Sequence, residues 1–139
     1  MRLVKVIFAC VHNAGRSQMA AAFFNKYAEK SHAISAGTEP ADCVHPCVVD
    51  AMNEVGIDLA AVKPQKLTDE LASQANVLIT MGCGESCPFV PGLKREDWAI
   101  RDPKGKSVED VRAIRDEILN RVLSFLREAN EPACSKVSG

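Results

Sequence analysis

Cys10 and Arg16 are separated by five residues in the run Cys10-Val-His-Asn-Ala-Gly-Arg16-Ser17. A thiolate is a strong nucleophile, and an arginine offers a planar fork of donors to two oxygens of one anion. If these residues turn between a strand and a helix, their backbone N–H groups face inward. The helix N-terminus then adds partial positive charge. Such a loop wraps a tetrahedral oxyanion, with Val11, His12, Asn13, Ala14, Gly15, Arg16 and Ser17 as its wall and Cys10 as attacking group. Most of the rate gain must come from holding the anion in line and stabilising its developing charge. Ser17 is placed to hydrogen-bond the sulfur, Asn13 to brace the loop, and His12 to contribute its backbone. A lone cysteine ending a strand is ordinarily a buried apolar residue, but Gly15, Arg16, Ser17 and the helix that follows argue against that reading. The GK[ST] element of a nucleotide-binding Walker loop is missing.

Other residues bear on the same chemistry. Asp102-Pro103 would by itself read as a turn, yet a carboxylic acid facing the anion loop would protonate a leaving oxygen. Cys83 and Cys87 are four apart. On an intact helix their Cβ atoms would be about 5–6 Å apart, whereas a disulfide needs roughly 3.5–4.5 Å. The pair closes only where the backbone is irregular, and Gly82 and Gly84 beside Cys83 supply that freedom. A thiol there is placed to attack a sulfur adduct. Cys43 and Cys47 repeat the spacing near a helix start. A zinc site would need the two pairs to meet, and redox chemistry accounts better for the second pair. Cys43 and Cys47 read as peripheral, Cys134 as a surface thiol, and His32 and His45 carry no ligand pattern.

The elements that must position these groups follow from periodicity. Leu3 to Ala9 is rich in β-branched and aromatic residues and reads as a buried strand. From Ser17, Ala20, Phe23, Phe24 and Tyr27 recur at helical spacing. Ala33 to Ala36 is a short strand ended by Gly37. Residues 45–55 read as a helix with Pro46 in its first turn, Val48, Val49, Met52 and Val55 on one face, and Gly56 as its stop. Thr68 caps a short helix through Gln74. Val77 to Met81 is a strong strand and Asp97 to Arg101 a weaker one. Ser107 and Asp110 resemble a capping box. They precede an apolar stripe of Val108, Val111, Ile114, Ile118, Val122 and Phe125 on a helix ending near Asn130. Strands alternating with helices imply an α/β parallel sheet covered on both faces, with ligands at the carboxyl ends of the strands. Cys10, Gly37, Cys83 and Asp102 all follow such ends.

The chain has 139 residues, 47% of them hydrophobic, enough for one domain with one core. We expect a single domain over 1–131 and a frayed tail over 132–139. Seventeen basic and eighteen acidic side chains leave a net charge of -1, which disfavours nucleic acid as a partner. No stretch approaches 18 consecutive apolar residues, so no membrane helix is expected. The opening MRLVKVIFAC lacks a small-residue cleavage site and reads as a strand, not a signal peptide. A cytoplasmic location is expected, where structural disulfides are rare and six cysteines call for a chemical explanation.

With these residues in hand, the chain resembles the arsenate reductases built on the low-molecular-weight tyrosine phosphatase fold. The resemblance rests on CVHNAGRSQMA (10–20), HPCVVDAMNEVGIDL (45–59), MGCGESCP (81–88) and EDWAIRDPKG (96–105). It implies a three-layer α/β sandwich on a four-stranded parallel sheet of order 2-1-3-4. It implies that Cys10 attacks arsenate held by the loop and Arg16 while Asp102 helps water leave. Cys83 then attacks the Cys10 sulfur, releasing arsenite and leaving a Cys10–Cys83 disulfide. Cys87 attacks Cys83, freeing Cys10 and leaving a Cys83–Cys87 disulfide for an external reductant. No bound cofactor or metal is implied. Phosphate would compete with arsenate, and the chain is expected to act as a monomer.

The sequence departs from the family's pattern at three places. Thioredoxin-coupled members commonly place six residues between the resolving cysteines, and here there are three. The reductant is therefore open between thioredoxin and a small thiol, such as glutathione or mycothiol, with a glutaredoxin-like partner. Some members bind potassium through an acidic residue just after the loop, where this chain reads Met19-Ala20-Ala21-Ala22. Most relatives also lack counterparts of Cys43 and Cys47. Two other readings compete. A tyrosine phosphatase would form a phosphocysteine at Cys10, but Lys104, Gly105 and Lys106 stand where an aromatic grip is usual. A non-catalytic oxyanion or redox sensor would need neither Asp102 nor the anion loop.

Overall fold

The computed structural model describes residues 5–28, 31–82 and 93–128. Their order is β1 (Lys5–Cys10), α1 (Arg16–Tyr27), β2 (His32–Gly37), α2 (Pro46–Asn53), α3 (Asp69–Ser73), β3 (Val77–Thr80), β4 (Lys94–Asp97) and α4 (Val108–Glu128). The four strands form one sheet in the order β2-β1-β3-β4, and all three pairings are parallel. The expected α/β architecture and strand order hold. Cys134 and the tail from 132 lie outside the described residues, as do Leu3, Cys83, Gly84 and Cys87.

Strand alternation divides the core in two. Val6, Phe8 and Cys10 face one way, with Ile79 and Met81, onto α1, α2 and α4. Ile7, Ala9 and Leu78 face the other way, onto Leu67 and Ala72 near α3. Covered on both faces, β1 is apolar from Val6 to Ala9, each fully buried. Phe8 is the hub of the larger cluster. Its ring lies edge-on to Phe24 at 5.9 Å and 5.5 Å from Trp98, so it ties the strand that ends in Cys10 to α1 and to the chain beyond β4. Losing such a ring costs about 3–5 kcal/mol.

Three expectations need correction. β4 is Lys94–Asp97, not Asp97–Arg101. An edge strand bordering solvent accommodates charge, so KRED pairs with β3 while the apolar signal belongs to the chain after it. There Trp98 and Ile100, 5% and 6% exposed, dip into the core. Asp102 therefore follows a buried crossing segment instead of ending a strand. Val108 begins α4 but is 58% exposed, outside the stripe of Val111, Ile114, Ile118, Val122 and Phe125. Other boundaries shift by one or two residues. The caps stand: the Leu71 N–H donates to Thr68 Oγ1 at 3.1 Å and the Asp110 N–H to Ser107 Oγ at 3.1 Å.

An ionic clamp joins α2 to α4. Arg112 grips the Glu54 carboxylate from Nε at 3.0 Å and from Nη2 at 2.6 Å. Buried Arg115 donates from Nη1 to Glu54 Oε1 at 2.8 Å and to the Ala51 carbonyl at 2.9 Å. The hydrogen bonds from Arg112, then Arg115, hold the Glu54 carboxyl down to about 2 from an ordinary 4.5. A folded value below the unfolded one stabilises the fold above the ordinary value. That contribution is lost as pH falls from 4.5 toward about 2. Glu54→Gln should therefore lower Tm at pH 7, with the gap to wild type closing across this window. Because Glu54 and Arg112 are exposed, added salt should shrink the gap as well. A pH series of thermal melts checks both, and a pH-independent gap would refute the assignment.

Candidate active site

The site forms where β1 ends and α1 begins. Four carbonyls in this region are taken by one neighbouring segment. Cys10, Val11, His12 and Ala14 accept from the N–H groups of Thr38, Glu39, Ala41 and His45, at 3.2, 2.8, 2.9 and 2.9 Å. A trans peptide points its N–H opposite to its carbonyl. The N–H groups of Val11, His12, Asn13 and Gly15 are thus turned away from the 38–45 segment, onto the loop's inner side. Gly15 precedes α1 without a side-chain cap, and no acidic residue occupies the first turn. The positive end of α1 is left to an anion.

Hydrogen-bond direction can be traced through the buried interior. Asn13 is fully buried at φ 51°, a left-handed conformation that asparagine tolerates. Its Oδ1 accepts from the Gln65 N–H at 2.9 Å and from Gln18 Nε2 at 3.2 Å. Its Nδ2 donates to Ser17 Oγ at 2.7 Å. Ser17 Oγ in turn lies 2.9 Å from Cys10 Sγ and donates to that atom when the sulfur is a thiolate, which has no proton to give. The chain of donors ends on a sulfur that is 2% exposed, an arrangement suited to negative charge at that atom. Ser17 is thus in contact with the Cys10 sulfur, and Asn13 with Ser17, Gln18 and Gln65. Asn13 Oδ1 is also committed to N–H donors, and no carboxylate occupies positions 19–22. These groups do not fit a potassium ion.

Arg16 crosses to the opposite wall. Its Nη1 donates to the Ile100 carbonyl at 3.1 Å, and its Nη2 lies 3.8 Å from Asp102 Oδ2. The Arg16 side chain is 11% exposed and that of Asp102 44%, so the acid stands at the mouth and the guanidinium beneath it. Asp102 Oδ1 accepts from the Lys104 N–H at 3.0 Å, which fixes the turn. Pro103 lies against Gly15, where an added Cβ would come within 2.9 Å of its ring. Cys10, Arg16 and Asp102 are therefore brought together, whereas Cys83 and Cys87 fall outside the described residues.

Two nearby groups are shifted. Burial lowers the His45 imidazole from its ordinary range. Asp102 opposes that effect, while Lys104 and His12 add to it. Burial raises the Cys47 thiol, whose Sγ lies 3.9 Å from the Pro103 carbonyl. Cys10, Cys43 and Cys47 are all free thiols. Among the described residues, no three His, Cys, Asp or Glu side chains converge as a metal site.

The sequence reading left out Gly37, Gln18 and Gln65 as site residues. A Cβ on Gly37 would lie 2.6 Å from the Val11 carbonyl oxygen and 2.8 Å from Asn13 N. Only glycine lets β2 end directly beneath the loop. A glycine closing a strand is a sequence signal for such close backbone approach. Gln65 has no comparable signal, because it acts through its backbone N–H.

Comparison with known proteins places this geometry. Residues 5–133 match the family described as Low molecular weight phosphotyrosine protein phosphatase. A Halobacterium salinarum protein provisionally named an arsenate reductase is 42% identical over 130 residues, covering 88% of this chain and 91% of its own length. The glutaredoxin arsenate reductase of a Synechocystis species is 34% identical over 125 residues, covering 88% and 95%. The solved thioredoxin-dependent arsenate reductase of Corynebacterium glutamicum superposes with a TM-score of 0.79 at 36% identity. That match covers 92% of this chain and 62% of the other. The chain belongs to the low molecular weight phosphotyrosine protein phosphatase family, whose arsenate reductase members it matches across nearly nine-tenths of its length.

Proposed function

We propose that this chain is an arsenate reductase working through a cysteine relay. The observation that carries the reading is the junction of β1 and β3. Thr80 stands beside Ala9 in the sheet, and the Met81 N–H donates to the Ala9 carbonyl at 2.7 Å. The chain that runs on to Cys83 therefore leaves the sheet next to Cys10. The same loop would serve a phosphatase, but a phosphatase has no use for two thiols following that strand. Nor is an aromatic grip present among the described residues: Trp98 is buried, and Lys104 and Lys106 follow Asp102.

Arsenate enters with its oxygens on the inward N–H groups and the Arg16 fork. Cys10 Sγ attacks arsenic in line with a departing oxygen, and Asp102 supplies the proton that lets it leave as water. Cys83 then attacks the Cys10 sulfur. The S–As bond breaks with its electron pair going to arsenic, so As(V) becomes As(III) and two thiols become the Cys10–Cys83 disulfide. Attack by Cys87 on Cys83 frees Cys10 and passes the oxidation to Cys83–Cys87. An external thiol system reduces that bond, either thioredoxin or a small thiol with a glutaredoxin-like protein. Both kinds of coupling occur in the names of the relatives. Such an enzyme works in a reducing cytoplasm.

A single turnover without added thiol tests the reading. Fully reduced protein mixed with arsenate should yield about one arsenite per chain and a Cys83–Cys87 disulfide by mass spectrometry. Cys10→Ser should abolish both products. Cys83→Ser should release arsenite only when an outside thiol is supplied. Asp102→Asn should slow turnover roughly 10²–10⁴-fold. Hydrolysis of aryl phosphates with no arsenite formed would assign the loop to phosphatase chemistry instead. Ser17→Ala should slow alkylation of Cys10 at pH 7 about tenfold. An unchanged alkylation rate would refute the donor chain through Asn13.

A further inference from the structure

Gly82 is the last described residue before Cys83, and its φ is +92°, a conformation open to glycine and strained for other residues. The space around it is occupied as well. A Cβ built there would lie 2.5 Å from Arg16 Nη1, 3.2 Å from Cζ and 3.3 Å from Nη2. The guanidinium packs directly against the backbone at this point. Among the described residues, the Arg16 guanidinium meets the Ile100 carbonyl on Nη1, the Asp102 carboxylate near Nη2, and Gly82. None of the three lies on α1, which carries the arginine.

We propose that Gly82 is a positioning residue for Arg16, its bare Cα serving as the back wall that keeps the guanidinium fork turned toward the anion loop. A side chain of any size at this position must displace the fork, because the atoms it meets are the ones that grip the anion. The glycine beside Cys83 therefore supplies room for the guanidinium as well as backbone freedom. This inference takes from the proposed function only the role of Arg16 as oxyanion clamp. It holds equally if the loop turns over phosphate esters.

Gly105 supplies the control. It too has a positive φ, +74°, but nothing lies within 4 Å of a Cβ built on it. Gly82→Ala and Gly105→Ala therefore carry a similar backbone penalty, and the first alone carries the clash. The readout is alkylation of Cys10 in the full reduced chain, located by mass spectrometry, with iodoacetate and iodoacetamide and graded inorganic phosphate. Gly82→Ala should weaken phosphate protection about tenfold and lower the iodoacetate-to-iodoacetamide rate ratio, since the cation is mis-aimed. Gly105→Ala should leave both at wild-type values. A folded Gly82→Ala with wild-type protection and rate ratio overturns the proposal while leaving the oxyanion site intact. Phosphate that fails to protect wild-type Cys10 overturns the oxyanion site and this inference together. If Gly82→Ala does not fold, Arg16→Ala/Gly82→Ala decides. Recovery of folding once the guanidinium is gone supports the contact, and an equally unfolded double variant refutes it.

Discussion

Everything at this site depends on where the Cys10–Ala14 carbonyls point. A tight turn around an anion must present N–H groups inward, and each peptide that does so turns its carbonyl outward. Buried carbonyls without partners would be costly. The 38–45 segment removes that cost by donating N–H groups to Cys10, Val11, His12 and Ala14. It can come close enough because Gly37 has no side chain. The loop is thus held in shape by hydrogen bonds on its outer side, away from the N–H groups that the proposed function turns toward an anion.

The second constraint is directional. Amides have distinct donor and acceptor ends, so the pairing of Asn13 Oδ1 with Gln65 and Gln18 determines which end faces Ser17. With Cys10 as a thiolate, the Ser17 hydroxyl is the donor to the sulfur. The feature that polarises the nucleophile is therefore a chain of uncharged groups anchored in α1 and in the segment beside β2. A cation beside Asn13 would have to compete with two N–H donors.

Phe8 and the Glu54 clamp connect this local chemistry to the rest of the fold. Phe8 packs on Phe24 and Trp98, so the strand bearing Cys10 and the crossing segment that leads to Asp102 share one core. Glu54 joins α2, which begins directly after the loop-bracing segment, to the long α4. Under the proposed function, the loop and Arg16 bind and orient an oxyanion, and the chemistry that follows depends on which groups stand at the neighbouring strand ends.

The sequence by itself determined the local and chemical parts. The spacing of Cys10 and Arg16, the Thr68 and Ser107 caps, and the alternation of apolar runs were enough for the loop, α3, α4 and the parallel sheet. Each is encoded within a few consecutive residues, where steric and hydrogen-bonding rules act directly. Tertiary structure decided the rest. It moved β4 to Lys94–Asp97, because at a sheet edge pairing outweighs hydrophobicity, while Trp98 and Ile100 found their burial beyond the strand. It also gave Gly37, Gln65 and Gly82 their tasks, through a close backbone approach, a single N–H and a guanidinium from another element. Only Gly37, a glycine closing a strand, carried a local signal; the tasks of Gln65 and Gly82 depend on partners distant in the chain.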